Sequence, residues 1–474
     1  MMHKVLQIIR NLQDIERFVA NKGKTQMGGA LKVKTRPMAL TLGSVLMMGA
    51  ISACGASPAS ATQPTGYKAG AINRQYAGTT ITVLVPPYAG MPQSQLAKFT
   101  KKTGIKVKME TLAWADIHDK IVTAEASHIS PADVTEVDWS WVGQFAQAGW
   151  YTPLNKYIAP NYLKNAINRD VFTIHHQLLA MPYNFGFKET TINWTDFQKA
   201  GITTVPTSWA QVLQDAKILK KKGVVQYPVG FPLSIGESNS TNWYALIKSA
   251  GGELFNAKWV PQFTAPSSPG YQALAFEKAL YQGGLMPPGV VSLHNIQVQQ
   301  LFAAGQIAIA LTSGPLFMSM FKNPSTSKVA RDNLKIIPLP GNDGHRTGTF
   351  GLPEGLGIPK LSANKGAAAE FINWWMEKPQ LLVSYNDPNM GNPPPQIDVL
   401  HQLSQTHKIQ DGPEIMSILP TVKPLFPQGT PVWYPQFSTD AATMIQSVVE
   451  GHVSVKAGVK TLASQARQMA QSAP

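Results

Sequence analysis

Thr79-Thr80-Ile81-Thr82-Val83-Leu84-Val85 is a β-branched run that Pro86-Pro87-Tyr88-Ala89-Gly90 breaks off. Such a run reads as a buried strand. Leu96 and Phe99 mark one face of the helix that follows, which ends near Lys101-Lys102-Thr103-Gly104, with Gly104 as a C-terminal cap. Residues 105–109 alternate like a second strand, and Ile117, Ile121 and Val122 mark a second helix. Residues 133–137 form a third strand and 142–149 a third helix. Strand, helix, strand, helix, strand at these spacings argues for a parallel sheet with crossover helices. Ligands of such sheets bind beyond the carboxyl ends of the strands, which here are residues 86–90, 112–114 and 138–141.

A second block begins at Pro206-Thr207-Ser208-Trp209, which opens a helix carrying Val212, Leu213, Ala216 and Leu219; Thr207 or Ser208 can cap it. Lys220-Lys221-Lys222-Gly223 closes the helix, and this charge run reads as a solvated helix end rather than an anion site. Helical patterns recur around 243–250, 271–282, 296–304, 365–376 and 440–470, with strand-like pieces at 307–312 and 334–338.

Further segments fall in a telling order. They are Phe99-Thr100-Lys101-Lys102-Thr103-Gly104-Ile105-Lys106-Val107, Asp138-Trp139-Ser140-Trp141 with Phe145-Ala146-Gln147-Ala148-Gly149, and Pro182-Tyr183 leading to Ile192-Asn193-Trp194. Then come Pro206-Thr207-Ser208-Trp209, Gly251-Gly252-Glu253-Leu254-Phe255, Phe302-Ala303-Ala304-Gly305-Gln306 with Ser313-Gly314-Pro315, Gly355-Leu356-Gly357-Ile358 and Ala368-Ala369-Glu370-Phe371. Together they resemble the family 1 extracellular solute-binding proteins, the maltose-binding-like subunits of bacterial ABC importers. The resemblance implies an α/β, two-lobe periplasmic-binding-protein-like fold of type II, with the ligand in a cleft between lobes that close by a hinge. It puts 75–185 plus 350–390 in lobe 1 and 186–349 plus 391–474 in lobe 2. It also implies a monomer that delivers its solute to ABC permease membrane subunits, with no cofactor and no metal.

The amino-terminal segment adds a location. One cysteine occurs in the 474 residues, at the end of Leu46-Met47-Met48-Gly49-Ala50-Ile51-Ser52-Ala53-Cys54. The stretch resembles a bacterial lipobox, in which Cys54 becomes the lipid-bearing first residue of the mature chain. Lys32, Lys34 and Arg36 precede an apolar core over residues 38–51, the layout of a secretory signal and too short for a comfortable membrane span. Residues 1–53 thus read as a signal peptide, with Met27 as an alternative start, and 54–74 as the lipidated cysteine and a flexible Ala/Ser/Pro/Thr/Gly tether. The expected location is extracytoplasmic, anchored to the membrane by lipid. Without the eight Lys/Arg and two Asp/Glu of residues 1–53, the formal charge falls from +14 to +8. Much of the basicity therefore belongs to the leader and gives no ground for nucleic-acid binding.

A sugar offers hydroxyls at its edge and apolar C–H patches on its faces, so its binder needs aromatic rings and hydrogen-bonding groups together. Asp138 and Trp139 fall where the resemblance places ligand contacts. Trp141, Trp114, Tyr183 with Asn184, Trp243 after a polar run at 237–242 that reads as a loop, and Tyr434 in a Pro-bounded loop are further candidates, each with core packing as the alternative. Gly314, before Pro315, matches a cleft turn that in many relatives continues with Trp; here Leu316 and Phe317 follow, and Phe317 is the substitute platform. Glu354, in Phe350-Gly351-Leu352-Pro353-Glu354-Gly355, is a candidate acceptor for sugar hydroxyls or else a surface carboxylate. Trp209 reads as a helix-start packing residue, and Trp374 and Trp375, within a helix, as core or lobe surface.

Other chemistries fit less well. The sequence holds no G-x-S-x-G elbow, no H-E-x-x-H motif and no G-x-x-x-x-G-K-[ST] loop. A glycoside-acting enzyme would need two carboxylates across the scissile bond, for which Asp138 and Glu354 are the candidates. A glycerol phosphate would call for Arg or Lys in the cleft loops, which carry almost none. A polyamine would call for several carboxylates, with Asp138, Glu237 and Glu354 as candidates. A neutral sugar or oligosaccharide fits this inventory best.

Overall fold

The computed structural model describes residues 68–70, 72–344, 348–388, 391–409 and 411–473. The signal peptide, Cys54 and most of the tether lie outside the described residues. Among the described residues no helix is long and apolar enough to cross a membrane.

The opening run folds as read. Strands β1 (Thr80–Val85), β2 (Lys106–Thr111) and β3 (Val134–Asp138) alternate with helices α1 (Gln93–Thr103), α2 (Trp114–Ala126) and α3 (Val142–Ala148). Gly104 ends α1 at φ +78°, and its N–H reaches the Thr100 carbonyl at 2.7 Å. The first sheet has the order β2-β1-β3-β10-β4, where β4 is Ala180–Pro182 and β10 is Glu354–Gly357. β1 runs parallel to β2 and β3, whereas β10 is antiparallel to both β3 and β4. Helix α8 (Lys365–Trp375) packs on this lobe, with Phe99 5.4 Å from Phe371 and 5.0 Å from Trp374 between ring centroids. Trp374 and Trp375 are therefore core, the first of the two places the sequence left open for them.

The second sheet has the order β8-β5-β7-β6, formed by β5 (Glu189–Asn193), β6 (Val229–Gly230), β7 (Ile309–Ser313) and β8 (Leu334–Ile337). Helices α4 (Trp209–Lys221), α5 (Glu237–Ser249), α6 (Pro269–Gln282) and α7 (Asn295–Ala303) belong to this half. Ser208 is the cap of α4, its hydroxyl oxygen accepting from the Gln211 N–H at 3.2 Å. The stretch expected as one helix over 440–470 is two, α9 (Tyr434–Val449) and α10 (Val455–Ser472), parted at Gly451 with φ +88°.

The chain passes between the sheets after β4, again between β8 and β10, and a third time before α9. The second and third passages pair through β9 (Thr349–Phe350) and β11 (Val422–Lys423), which run parallel. The first two touch at Gly186, whose carbonyl accepts from the Leu352 N–H at 2.8 Å. A Cβ on Gly186 would lie 2.8 Å from the Leu352 carbonyl oxygen, so the approach of these passages needs glycine there.

Two placements differ from the sequence reading. The polar run 237–242 is the start of α5 rather than a loop, because Glu237 opens the helix and Asn239, Ser240, Thr241 and Asn242 are buried within it. Residues 392–402, expected in lobe 2, lie against lobe 1: Asn392 donates to the Tyr88 carbonyl at 3.0 Å, Ile167 to the Pro395 carbonyl at 2.8 Å, and Gln396 bridges to Ala166.

Candidate functional site

The site begins at the carboxyl end of β3. Asp138, its last residue, stands opposite Glu354, the first residue of β10. Alternation along a strand puts Glu136 on the same face as Asp138. One oxygen from each of Glu136, Asp138 and Glu354 lies within 4.8 Å of the others. Neutral donors fix the outer two. Asp138 Oδ1 accepts from the Ser140 N–H at 2.8 Å and from the Ser140 hydroxyl, and Oδ2 accepts from the Trp114 indole N–H at 3.1 Å. Glu354 Oε1 accepts from the Tyr88 hydroxyl, and Oε2 accepts from the Tyr183 hydroxyl at 3.0 Å and from the Asn184 amide. Glu136 is fully buried with both oxygens unpartnered, the Tyr183 hydroxyl beside it being turned to Glu354.

The other lobe supplies the facing wall. Glu237 opens α5, where the helix dipole favours a carboxylate, and it accepts from the Tyr434 hydroxyl and from the Ser438 hydroxyl at 2.6 Å. Lys188, in the first passage, donates to Asn242 Oδ1 at 3.3 Å. The Thr312 hydroxyl lies 2.8 Å from that same oxygen. Thr312 is a β-branched residue at φ +56°, a strained backbone that delivers Ser313 and Gly314 to the cleft.

Between the walls lies a cavity of about 350 Å³. Tyr88, Trp114, Asp138, Trp139, Asn184 and Glu354 line it from the first lobe, and Glu237, Ser238, Thr241, Ser313, Gly314 and Phe317 from the second. Phe187 and Lys188 close it at the first passage, and His294, Asn295 and Ile296 at the start of α7. Burial pushes the Asp138 carboxyl up to about 6, against the pull of the Ser140 and Trp114 donors. Burial and the Asp138 charge raise Glu354 to about 7. Burial raises Glu237 to about 7 and, reinforced by Glu354 and Asp138, pushes Glu136 well above the usual carboxylate range. Burial lowers Lys188 to about 8.

Of the residues singled out from the sequence, Trp114, Asp138, Trp139, Asn184, Gly314, Phe317 and Glu354 line the cavity. Glu354 is thus not the surface carboxylate of the alternative reading. Four others do not line it. Trp141 lies behind Trp114, their ring centroids 4.8 Å apart. Tyr183 is buried and orients Glu354. Tyr434 begins α9 rather than a loop, orients Glu237 and packs at a tilt against Trp139, their ring centroids 5.0 Å apart. Trp243 is a core residue: it lies nearly two turns into α5, fully buried, its indole N–H bonded to the Gly270 carbonyl at 2.8 Å and its ring 5.2 Å from Phe263. Its polar tip is satisfied inside the lobe, which leaves nothing to offer a ligand.

Sequence reasoning missed Tyr88, Glu136, Phe187 and Lys188 as site residues and weighed Glu237 merely as a carboxylate for a cation. A signal for Glu136 was present: an acidic residue inside an otherwise apolar and β-branched strand, two positions before Asp138. Chemically, the arrangement gives carboxylates pinned by neutral donors, with further lone pairs free for polar hydrogens, beside the rings of Tyr88, Trp114 and Trp139. Asp138 and Glu354 stand side by side on one wall, not across a space that could hold a scissile bond.

Two α/β lobes, several chain passages between them and a polar, aromatic-lined cavity at the junction define a two-lobed solute-binding protein. The chain belongs to the bacterial extracellular solute-binding proteins, whose family model matches residues 82–380. A putative binding protein of Brucella abortus is 24% identical over 279 residues, 58% of this chain and 65% of the relative, so the match spans just under two thirds of that curated relative's length. The diacetylchitobiose binding protein DasA of Streptomyces coelicolor is 29% identical over 228 residues, 46% of this chain and 50% of that one. Among solved structures, an ABC transporter solute-binding protein from Thermotoga lettingae bound with α-D-tagatose superposes with TM-score 0.73 at 21% identity, covering 83% of this chain and 100% of that one. At that identity the likeness is one of fold.

Proposed function

We propose that this chain is the substrate-binding component of an ABC importer that captures a sugar or oligosaccharide between its lobes and delivers it to membrane permease subunits. The observation that carries this reading is the cavity itself: fixed acceptors from both lobes, Asp138 and Glu354 on one side and Glu237 on the other, beside the aromatic rings of Trp114 and Trp139. Hydroxyls meet the acceptors and C–H faces meet the rings. A Thermotoga lettingae relative of the same fold holds α-D-tagatose, and a Streptomyces coelicolor relative is a diacetylchitobiose binding protein, which supports a carbohydrate here. A phosphorylated solute is disfavoured, since the lining carries three carboxylates against the single Lys188. The chain acts as a monomer without catalysis, cofactor or metal, held outside the cytoplasmic membrane by lipid on Cys54. Lobe 1 takes 75–185 and 350–390 together with the 392–402 stretch; lobe 2 takes 186–349 and the remaining C-terminal part.

A thermal-shift screen over a carbohydrate panel tests the reading. A binder must be stabilised in proportion to ligand occupancy. Stabilisation by one sugar or a related set is expected, and a flat response across the panel would remove the carbohydrate assignment.

A further inference from the structure

We infer that the captured carbohydrate carries a protonated amino group, an amino sugar with its amine free, held between Asp138 and Glu354. The inference rests on the carbohydrate reading above. It departs from the uncharged ligand expected from the sequence, because carboxylates that are scattered along the chain converge in the fold.

The charge inventory of the cleft runs against that of the chain. The sequence has 41 Lys and Arg against 27 Asp and Glu. The cavity lining nevertheless carries Asp138, Glu237 and Glu354 against one lysine, Lys188, and Glu136 lies directly behind. Among the described residues, none of these four carboxylates is within 4.0 Å of a Lys, Arg or His nitrogen. A more exposed acid such as Glu110 pairs with Lys108 at 2.7 Å and Lys120 at 2.8 Å, whereas buried Glu277 and Glu370 also lack ion pairs among the described residues; what sets the cleft acids apart is that they converge on one cavity. In the cleft the donors are Ser140, Trp114, Tyr88, Tyr183 and Asn184, all neutral. Buried carboxylates without a counter-charge are costly, and like charges on directly opposite strand positions repel. Neutral acceptors such as Asn or Gln would serve an uncharged sugar without that repulsion.

The second observation is Glu136. It is fully buried, both its oxygens are unpartnered, and one of them lies within 4.8 Å of Asp138 and Glu354 oxygens. Burial and the neighbouring Glu354 and Asp138 charges push this third carboxyl well above the usual carboxylate range, so at neutral pH it is uncharged, and the negative potential at the base of the cavity comes from Asp138 and Glu354. An ammonium group seated above it would donate charge-assisted hydrogen bonds to Asp138 and Glu354 and face the rings of Tyr88, Trp114 and Trp139, a cation–π surround. A bare divalent cation fits less well. Asp138 and Glu354 already accept six hydrogen bonds from fixed donors, which leaves few lone pairs toward a full oxygen shell.

The test is calorimetric titration of the full secreted chain at neutral pH. The probes are D-glucosamine, D-galactosamine, D-mannosamine and the β-1,4-linked glucosamine disaccharide, each beside its N-acetylated and its hydroxyl counterpart, with putrescine and calcium as controls. At least one free amine should bind about tenfold or more tighter than both of its uncharged counterparts, the scale of one charge-assisted hydrogen bond. In Asp138→Asn and Glu354→Gln that preference should fall toward unity, with folding checked by circular dichroism melting. Uncharged sugars that bind as tightly as the amines would overturn the inference and leave the carbohydrate reading standing. Tight binding of putrescine or calcium with silence from every sugar, or silence from all probes, would overturn both.

Discussion

Asp138 and Glu354 are a cross-strand pair of like charges, directly opposite on antiparallel β3 and β10, and their side chains form the floor of the cleft. Among the described residues no salt bridge resolves this repulsion at the ligand site. Sites of this kind trade stability for function. Glu354→Gln, which keeps shape and an acceptor oxygen, should therefore raise the stability of the ligand-free protein at pH 8 by on the order of 2 kcal/mol. It should weaken ligand binding at the same time. A variant less stable than the parent in denaturant titration would mean that the charge is structurally required.

The two tryptophans separate binding from packing. Trp139→Ala should weaken ligand binding by about 1–3 kcal/mol, the scale of a lost aromatic contact. It should also lower stability, since the ring packs on Phe350 and Tyr434 at centroid distances of 5.7 and 5.0 Å. Trp243→Ala should cost about 3–5 kcal/mol of stability through an emptied core and leave the affinity of the folded protein unchanged. Affinity titrations beside melting curves check both; a Trp243 variant that folds normally and binds weakly would contradict its place in the core.

The contrast between these residues shows what the sequence made legible. The β-branched run at 79–85 and the alternations after it located β1 to β3 and so the strand ends at or just beyond which Trp114, Asp138 and Trp139 lie, because strand ends in a parallel sheet have a fixed relation to the ligand site. Trp243 misled because the polar run before it looked like a loop, whereas Glu237 opens α5 and the helix carries the indole inward. Tyr88, Lys188 and Glu237 reach the cavity from three separate elements, and the meeting of such distant residues is set by tertiary packing rather than by local pattern. Glu354 read more readily as a surface acid than as a ligand contact until its antiparallel pairing with β3 placed it beside Asp138.

Stability should depend on pH with a definite sign. Asp138, Glu237 and Glu354 are raised in the folded state to about 6, 7 and 7, so the native protein holds protons that the unfolded chain releases near its ordinary carboxylate range. The stability they contribute is full at acid pH and is lost as pH rises from about 4 to about 7. Lys188, lowered to about 8, acts oppositely, and stability returns as pH climbs from there toward about 10. Melting temperature of the ligand-free protein across this range should therefore show a minimum near pH 7 to 8. A maximum there would contradict the uncompensated cleft.

Ligand should draw the lobes together. In the described conformation they meet at the cleft edge, where the Gly391 N–H donates to the Leu316 carbonyl at 3.2 Å and the Asn323 amide donates to the Pro388 carbonyl at 3.3 Å. A solute that touches both walls favours that closed arrangement over an open one by its differential contacts. Small-angle scattering should show a smaller radius of gyration at saturating ligand, and an unchanged radius would contradict closure on binding.

The proposed lipid anchor makes its own prediction: Cys54→Ser should move the protein from membrane to soluble fractions. Retention in the membrane fraction after this substitution would contradict the lipid attachment.

The most direct measurement is a crystal structure of the protein with whichever sugar stabilises it most. The solute should lie in the cavity between the lobes, hydrogen-bonded to Asp138 and Glu354, against the rings of Trp114 and Trp139, and in contact with Glu237 or Gly314 from the other side. A second cavity of about 280 Å³ opens near Asp170, His175 and the third passage between the lobes, and it shares the Trp139 wall. Solute found in that second cavity, or held by one lobe alone with the Asp138–Glu354 pair untouched, would contradict the account.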